Sequence, residues 1–364
     1  MPYVTKAAAL VLTLMLANSM ASALPRFASR TGAKCQACHV NPSGGGMRQT
    51  FGVNYGRDEL PVPTWSEELG MEDFSTKISD VVSIGADFRT LFYYQQTAGS
   101  NSNAFWQMQG DIYLNLRIAR KVSMYLDKGL YNGFEVFGLL NILPGNGFVK
   151  VGKFVPNYGT KLDDHRAFVR EKLGFSPELG RPERTGAEIG FAPEPLVLTT
   201  GVFNAEDGFG FAPNNKALLG RIDFIQKLGE DVRLGLAGNV LWQEKTSGLK
   251  TTLLGGLGSI SYKRLTVTGE VDLIKKDSVG RKVDGLALYA EANVVLTQGV
   301  DLKFGYDFYD PDTDVKSGSQ SRYTVGVEFF PLSGVEVRPL YRINSEDPVN
   351  TKNNEFHLLV HFYL

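Results

Sequence analysis

From about Lys77 onward, apolar and polar residues alternate with a period of two, and the alternation stops and restarts at turn-like positions. The clearest run puts Trp106, Met108, Gly110, Ile112, Leu114, Leu116 and Ile118 on one face and Gln107, Gln109, Asp111, Tyr113, Asn115 and Arg117 on the other. The same alternation recurs over Val232–Trp242, Leu265–Leu273 and Val300–Tyr309. Period two sustained over nine or more residues is a strand signal, with one face apolar and the other wet. Such segments fall at 78–94, 105–119, 121–130, 133–141, 148–155, 185–191, 196–203, 216–226, 231–243, 250–262, 264–275, 284–297, 300–309, 320–330, 333–343 and 355–364.

Sixteen segments, many near the ~9–11 residues with which a tilted strand crosses a bilayer, predict an all-β fold: a transmembrane antiparallel β-barrel of about 16 strands (range 14–18) over residues 76–364. The polar face carries Asp, Arg, Lys and Glu in nearly every segment, as a water-facing lumen would. Aromatics gather at strand ends, among them Phe92, Tyr93, Tyr94, Trp242, Phe329 and Phe330. In the last segment Phe356, Leu358, Val360, Phe362 and Leu364 alternate with His357, Leu359, His361 and Tyr363. This strand is placed to close the ring against the first one. A soluble β-sandwich with a packed apolar core is the competing arrangement. Residues 156–184 break the pattern with mixed charges and a short helical stretch over Asp163–Leu173, and predict an extracellular loop or one folded into the lumen.

Charge excludes little except a strongly basic nucleic-acid binder. The chain has 38 Lys plus Arg against 39 Asp plus Glu in 364 residues. The N-terminus changes the picture more. One Lys precedes an apolar run from Ala7 to Ala17, and Ala21-Ser22-Ala23 follows, which reads as a secretory signal over 1–23 rather than a helix of the ~20 residues a bilayer requires. The mature chain is then expected outside the cytoplasm.

Both cysteines of the chain lie in Lys34-Cys35-Gln36-Ala37-Cys38-His39. A disulfide closing so short a loop would add little chain-entropy stabilisation. A thioredoxin-like pair needs a βαβ context that this chain lacks, and a zinc site needs further ligands where no third Cys exists. Cys-x-x-Cys-His is the c-type haem attachment spacing: two thiols bond the porphyrin vinyls and the adjacent His ligates iron. Cys35 and Cys38 are therefore the expected anchors of one covalent haem c, and His39 its proximal ligand. Met47, beyond the run Asn41-Pro42-Ser43-Gly44-Gly45-Gly46, is a candidate distal ligand. Met71 and, more remotely, His165 are further candidates, and an open sixth position is also allowed. The glycines let the chain approach a planar cofactor closely and turn sharply. The haem segment, 24–70, is too small to bury much core of its own, and is expected to be organised by the haem or to pack in or against the barrel lumen. Arg166, Arg170, Lys172, Arg181 and Arg184 are candidates for haem propionate contacts, although a solvated loop face is the plainer reading.

The run Phe27-Ala28-Ser29-Arg30-Thr31-Gly32 entering the Cys-x-x-Cys-His motif, with a porin-like remainder, resembles the fused monohaem cytochrome c–porins of the bacterial outer membrane, including those of ferrous iron oxidation, and related haem-bearing outer-membrane channels. Phe27, Ala28, Thr31 and Gly32 match that family's approach to haem, and Ser29 stands where it has Arg. Val151–Gly159 is similar to porin strands. The C-terminal strand resembles the barrel-assembly signal but ends in Leu364 rather than Phe. The resemblance implies electron transfer at the outer membrane through one haem, in one version oxidising extracellular Fe(II). Its implied partners are a periplasmic c-type cytochrome or other carrier, an extracellular metal ion or redox partner, and outer-membrane lipid, with no nucleic acid. An enzymatic role would be that of an oxidoreductase-like cytochrome, with no catalytic residue beyond the haem. The alternative is a passive porin or cytochrome-docking barrel in which the haem segment is a plug or anchor.

Overall fold

The computed structural model describes residues 26–364, apart from 69–73, 98, 131–132, 177–181, 206–214, 246 and 279. The predicted signal segment 1–23, Met71 and Arg181 lie outside the described residues.

Sixteen antiparallel strands form one closed barrel. They run as β1 Val82–Gln96, β2 Asn101–Ala119, β3 Val122–Gly129, β4 Phe134–Leu143, β5 Gly147–Phe154, β6 Arg184–Phe191, β7 Leu196–Asn204 and β8 Lys216–Leu228. The second half is β9 Val232–Glu244, β10 Lys250–Tyr262, β11 Leu265–Ser278, β12 Arg281–Thr297, β13 Val300–Asp310, β14 Gln320–Leu332, β15 Val335–Glu346 and β16 Glu355–Tyr363. Every strand pairs with its sequence neighbours, and β1 pairs with β16 from Asp87↔Tyr363 to Gln95↔Glu355, so no edge is left open. The β1–β2 register shifts between Arg89 and Thr90, where Met108 is the extra residue of a bulge.

Which face each strand turns outward follows from its alternation. Ile112, Leu236 and Ile343 are 47–48% exposed, whereas Lys150, Glu188 and Glu328 are fully buried. A soluble sandwich buries the apolar face; this barrel exposes it and turns its charges inward, as a membrane-spanning barrel must. No helix among the described residues is long and apolar enough to cross a membrane; the strands cross it.

The connections differ between the two mouths. At one mouth β1 begins, β16 ends, and turns such as 120–121, 263–264, 298–299 and 333–334 are short. The other carries the longer connections 205–215, 311–319, 347–354 and, longest, 155–183. Short turns mark the periplasmic side of such barrels.

Two segments fill the lumen. The first comprises α1 (Arg26–Thr31), α2 (Cys35–Cys38), α3 (Thr50–Asn54), a π-helical turn (Tyr55–Glu59) and α4 (Pro63–Glu68). It touches the inner wall nearly all the way round. Arg26 pairs with Glu328 (β14) at 2.5 Å, Arg30 with Asp301 (β13) at 2.6 Å, and Arg48 with Asp87 (β1) at 3.3 Å. Ser29 donates to Ser259 (β10), and Lys34 Nζ donates to the Ala192 carbonyl. Farther along, the segment closes the short-turn mouth: Val62 N–H donates to the Phe330 carbonyl and Ser333 Oγ to the Arg57 carbonyl.

The second segment is the 155–183 connection, which turns inward rather than outward. Tyr158 Oη donates to Asp272 at 2.6 Å, Thr160 N–H to Glu270 at 2.8 Å, and Phe168 N–H to Asp307 at 2.7 Å. Its helical part is only α5 (Phe168–Glu171), shorter than the periodicity over Asp163–Leu173 implies. Asp163 is ion-paired with Arg338 and Arg26 and Asp164 with Arg342, and a turn closed by the Ala167 N–H donating to the Asp164 carbonyl precedes the helix.

Candidate functional site

Cys35, Cys38 and His39 line a cavity of about 630 Å³ between the N-terminal segment, the inward loop, strands β1–β4 and parts of β11, β12 and β14–β16. Local sequence determines how they come together. Lys34 is extended, and the four residues Cys35–Cys38 make one helical turn before His39 returns to an extended conformation. Chain then runs out to Asn41 and back. Val40 N–H donates to the Met47 carbonyl, and Gln49 N–H to the Cys38 carbonyl, so His39 and Arg48 lie opposite one another across a bridge. The reversal is made by Gly44, Gly45 and Gly46, with φ of 85°, 80° and 64°, a left-handed run that residues with a Cβ resist. It also brings backbone close: a Cβ on Gly44 would stand 3.1 Å from Cys35 Sγ.

The turn of this hairpin is locked to the barrel wall. Lys150 (β5) and Glu188 (β6), both fully buried, pair at 2.9 Å. Ser43 Oγ donates to Glu188 at 2.5 Å, and Lys150 Nζ donates to Asn41 Oδ1 at 3.1 Å. No charge in this group is left without a partner, which is the condition under which a buried ion pair is tolerated.

Chemistry at the three motif residues follows. Both cysteines are free thiols. Burial, reinforced by Asp223, pushes the Cys35 thiol up to about 12; burial also raises Cys38, against the opposing pull of Arg48. His39 Nδ1 lies 3.2 Å from the Gly46 carbonyl. A carbonyl only accepts, so Nδ1 carries the proton and Nε2 keeps its lone pair. Burial and the Arg48 guanidinium hold the imidazole down at about 4, so it is neutral at pH 7.

Phe27, Tyr55, Leu60, Leu162, Phe330 and Tyr363 give the cavity apolar surface, and Arg48, Arg89, Lys161 and Arg170 give it cations. Burial beside Arg170 lowers the Lys161 ammonium to about 7. Arg89 is 8% exposed, and its Nε has no hydrogen-bond partner. Two thiols, a neutral imidazole with one oriented nitrogen, apolar walls and buried guanidinium groups make a donor set that fits a covalently held haem with its propionates.

The remaining sequence candidates separate. Met47 is 1% exposed and packs into the inner-wall cluster with Tyr113 and Tyr125; its backbone N–H donates to Tyr125 Oη, and it does not line the cavity. The Gly run thus folds the chain back as anticipated but turns the Met47 side chain into the wall. His165 does line the cavity. Of the described candidates for propionate contacts, Arg170 does so; Arg166 pairs with Glu171 and Glu355, Lys172 with Glu171, and Arg184 donates to the Ala205 carbonyl. Sequence reasoning missed Arg48 and Arg89. Arg48 was identifiable as the cation nine residues beyond His39 in a hairpin-forming run, whereas Arg89 carries no local signal beyond its inward register in β1.

No protein-family model matches the chain, and no curated protein sequence does. The barrel itself has counterparts among solved structures. OmpT, an outer membrane protein of Vibrio cholerae, matches with a TM-score of 0.57 at 10% identity over 79% of this chain and all of that one. OprB of Pseudomonas putida matches with a TM-score of 0.60 at 9% identity, covering 78% and 94%. OmpF of Salmonella typhi, in complex with daunomycin, gives 0.56 at 9% identity, covering 78% and 97%. The fold is that of the outer-membrane porins. With its apolar exterior and closed ring, the chain is a bacterial outer-membrane β-barrel. At these identities the likeness is one of fold and does not reach the chemistry of Cys35, Cys38 and His39.

Proposed function

We propose that this barrel carries one haem c, attached through Cys35 and Cys38 and ligated by His39, and that it exchanges electrons between an extracellular donor or acceptor and a periplasmic carrier such as a c-type cytochrome. The observation that carries this reading is the convergence on one cavity of two free thiols and an imidazole whose Nδ1 is already committed to the Gly46 carbonyl. When bound, the haem supplies a one-electron couple at iron. The protein's own part is positional. The glycine hairpin and the Lys150–Glu188 lock fix His39, the inward loop shields the site from above, and the N-terminal segment shields it from below.

Direction of access supports a periplasmic partner. Around the motif, Lys34 reaches the turn carbonyl of Ala192, and Arg30 reaches Asp301 at the start of β13, both at the short-turn mouth. One haem is small beside the ~25 Å apolar band of such a barrel. A carrier therefore approaches from the periplasmic side, while the external partner, Fe(II) in one version, enters from the other. Arg48 and Arg89 are the cations beside which haem carboxylates would rest.

A second reading has its own support. Likeness to OmpT, OprB and OmpF favours a passive diffusion channel in which residues 26–68 are a plug. One experiment separates the two: expression with haem maturation, outer-membrane isolation, and a pyridine haemochrome spectrum together with haem staining of the denatured band. A c-type spectrum, lost in Cys35→Ala/Cys38→Ala, and reduction by an external donor with reoxidation by a periplasmic cytochrome are expected. A barrel without covalent haem under those conditions leaves the passive channel.

A further inference from the structure

Resting on the haem reading above, the geometry points to His165 as the second axial ligand, on the face of the haem opposite His39. Four observations carry it. First, His165 lines the same cavity as Cys35, Cys38 and His39, although 126 positions separate the two histidines in the chain. Second, its Nε2 lies 3.3 Å from Arg89 Nη1. A guanidinium only donates, so Nε2 is the unprotonated ring nitrogen and accepts from Arg89, the tautomer that a metal ligand needs. Third, the layers are adjacent. Arg48, across the bridge from His39, is held by Asp87, and His165 is held by Arg89, the next inward position of β1, about 6–7 Å farther along the strand. Fourth, the backbone around His165 is fixed on both sides. Asp163 and Asp164 are ion-paired to Arg338 and Arg342, and Phe168 N–H is bonded to Asp307, so a short chain between anchors presents the imidazole.

Other donors in the cavity are less suited. His361 also lines it, but both of its ring nitrogens are held by carboxylates, Nδ1 by Glu336 at 3.0 Å and Nε2 by Asp87 at 2.7 Å. Met47 is turned into the wall. Met108, at the β1–β2 bulge, lines the cavity and is the one sulfur competitor among the described residues. On coordination Nε2 exchanges its bond from Arg89 for one to iron. Arg89 keeps its bond to the Asp163 carbonyl at 3.0 Å and gains a free N–H for a propionate.

The test is spectroscopic and uses the full-length, haem-matured barrel in detergent. Pyridine haemochrome first establishes that wild type and variants hold haem c; a wild type without it overturns the haem reading and this inference together. With haem present, the wild type is expected to be low-spin in both oxidation states, to lack a methionine-sulfur charge-transfer band, and to refuse carbon monoxide when ferrous. His165→Ala should become high-spin and bind carbon monoxide, and added imidazole should restore the low-spin spectrum. His165→Met keeps a ligand in place and should gain the methionine-sulfur band, which a merely structural role for His165 would not produce. A low-spin spectrum unchanged in His165→Ala, or a methionine band in the wild type that disappears in Met108→Leu, overturns the assignment to His165 while leaving the haem itself standing.

Discussion

At the scale of single residues, the three glycines after the motif do different work, and their substitution separates backbone strain from collision. A Cβ on Gly45 meets nothing within 4 Å, so Gly45→Ala carries only the cost of a left-handed φ, about 1–2 kcal/mol. A Cβ on Gly46 would run into the Tyr125 hydroxyl, whose ring is stacked 4.8 Å from Phe137 and cannot swing away freely. Gly46→Ala should therefore add roughly 1–3 kcal/mol of overpacking to the same strain. Denaturant midpoints and haem stain per barrel should fall in the order wild type, Gly45→Ala, Gly46→Ala; equal losses would mean that the hairpin does not sit against Tyr125. This scale also shows what a sequence can and cannot carry. The Cys35-x-x-Cys38-His39 spacing is visible in the sequence because it is a relation between adjacent positions in the chain. The place of Met47 is not, because eight residues after His39 fixes a distance along the chain but not which way a side chain leaves a hairpin.

Elements were the most legible scale, and the reason is periodicity. A barrel strand needs one lipid face and one lumen face along its whole length, so β11, β13 and β16 declare themselves in their own sequence. Their partners across the lumen do not, since an inward Lys150 or Glu188 reads simply as a polar position until the hairpin at Asn41 and Ser43 is laid over it. That lock gives a prediction. Lys150→Met leaves Glu188 buried and unpaired, and should cost about 3–5 kcal/mol, while Lys150→Met/Glu188→Met should recover most of the loss. Denaturation midpoints of the two singles and the double close the cycle, and additive losses would show that the pair is not coupled. The inward loop makes a second, pH-dependent one. Burial raises the Asp163 carboxyl, but Arg338, Arg26 and Lys303 outweigh it and hold the group well below the ordinary carboxylate range. The unfolded chain then takes up this proton first as pH falls. Its stabilisation is complete above about pH 4 and is lost progressively below that. Asp163→Asn should lower the neutral-pH melting temperature and flatten the acid limb of the profile. Because Asp163 is 30% exposed, the loss belongs at the lower end of the ~3–5 kcal/mol expected for a broken buried pair.

At the scale of the whole molecule, function turns on whether a 16-stranded ring is a conduit for solutes or a casing for a redox centre. Rings of this size leave an aqueous channel unless something fills it. Here residues 26–68 enter from the short-turn mouth and reach β1, β5, β6, β10, β13 and β14, while the 155–183 connection descends from the other side and is pinned by Asp272, Glu270, Asp307 and Arg342. Main-chain pairing closes the ring independently of both, from β1–β16 round to β15–β16. Removing residues 26–68 should therefore leave a folded barrel. The charges that the segment had paired, Glu328 and Asp301 among them, would be hydrated by water entering the lumen rather than stranded in a dry core. In planar bilayers the wild type should show small or no single-channel conductance and the deletion variant a several-fold larger one, with far-ultraviolet circular dichroism confirming an intact barrel in each. Equal conductance in the two would mean that solute passes beside the segment, which fits the passive channel. A closed wild type and an open deletion variant mean that residues 26–68 block the pore they occupy, so that solute does not pass beside them.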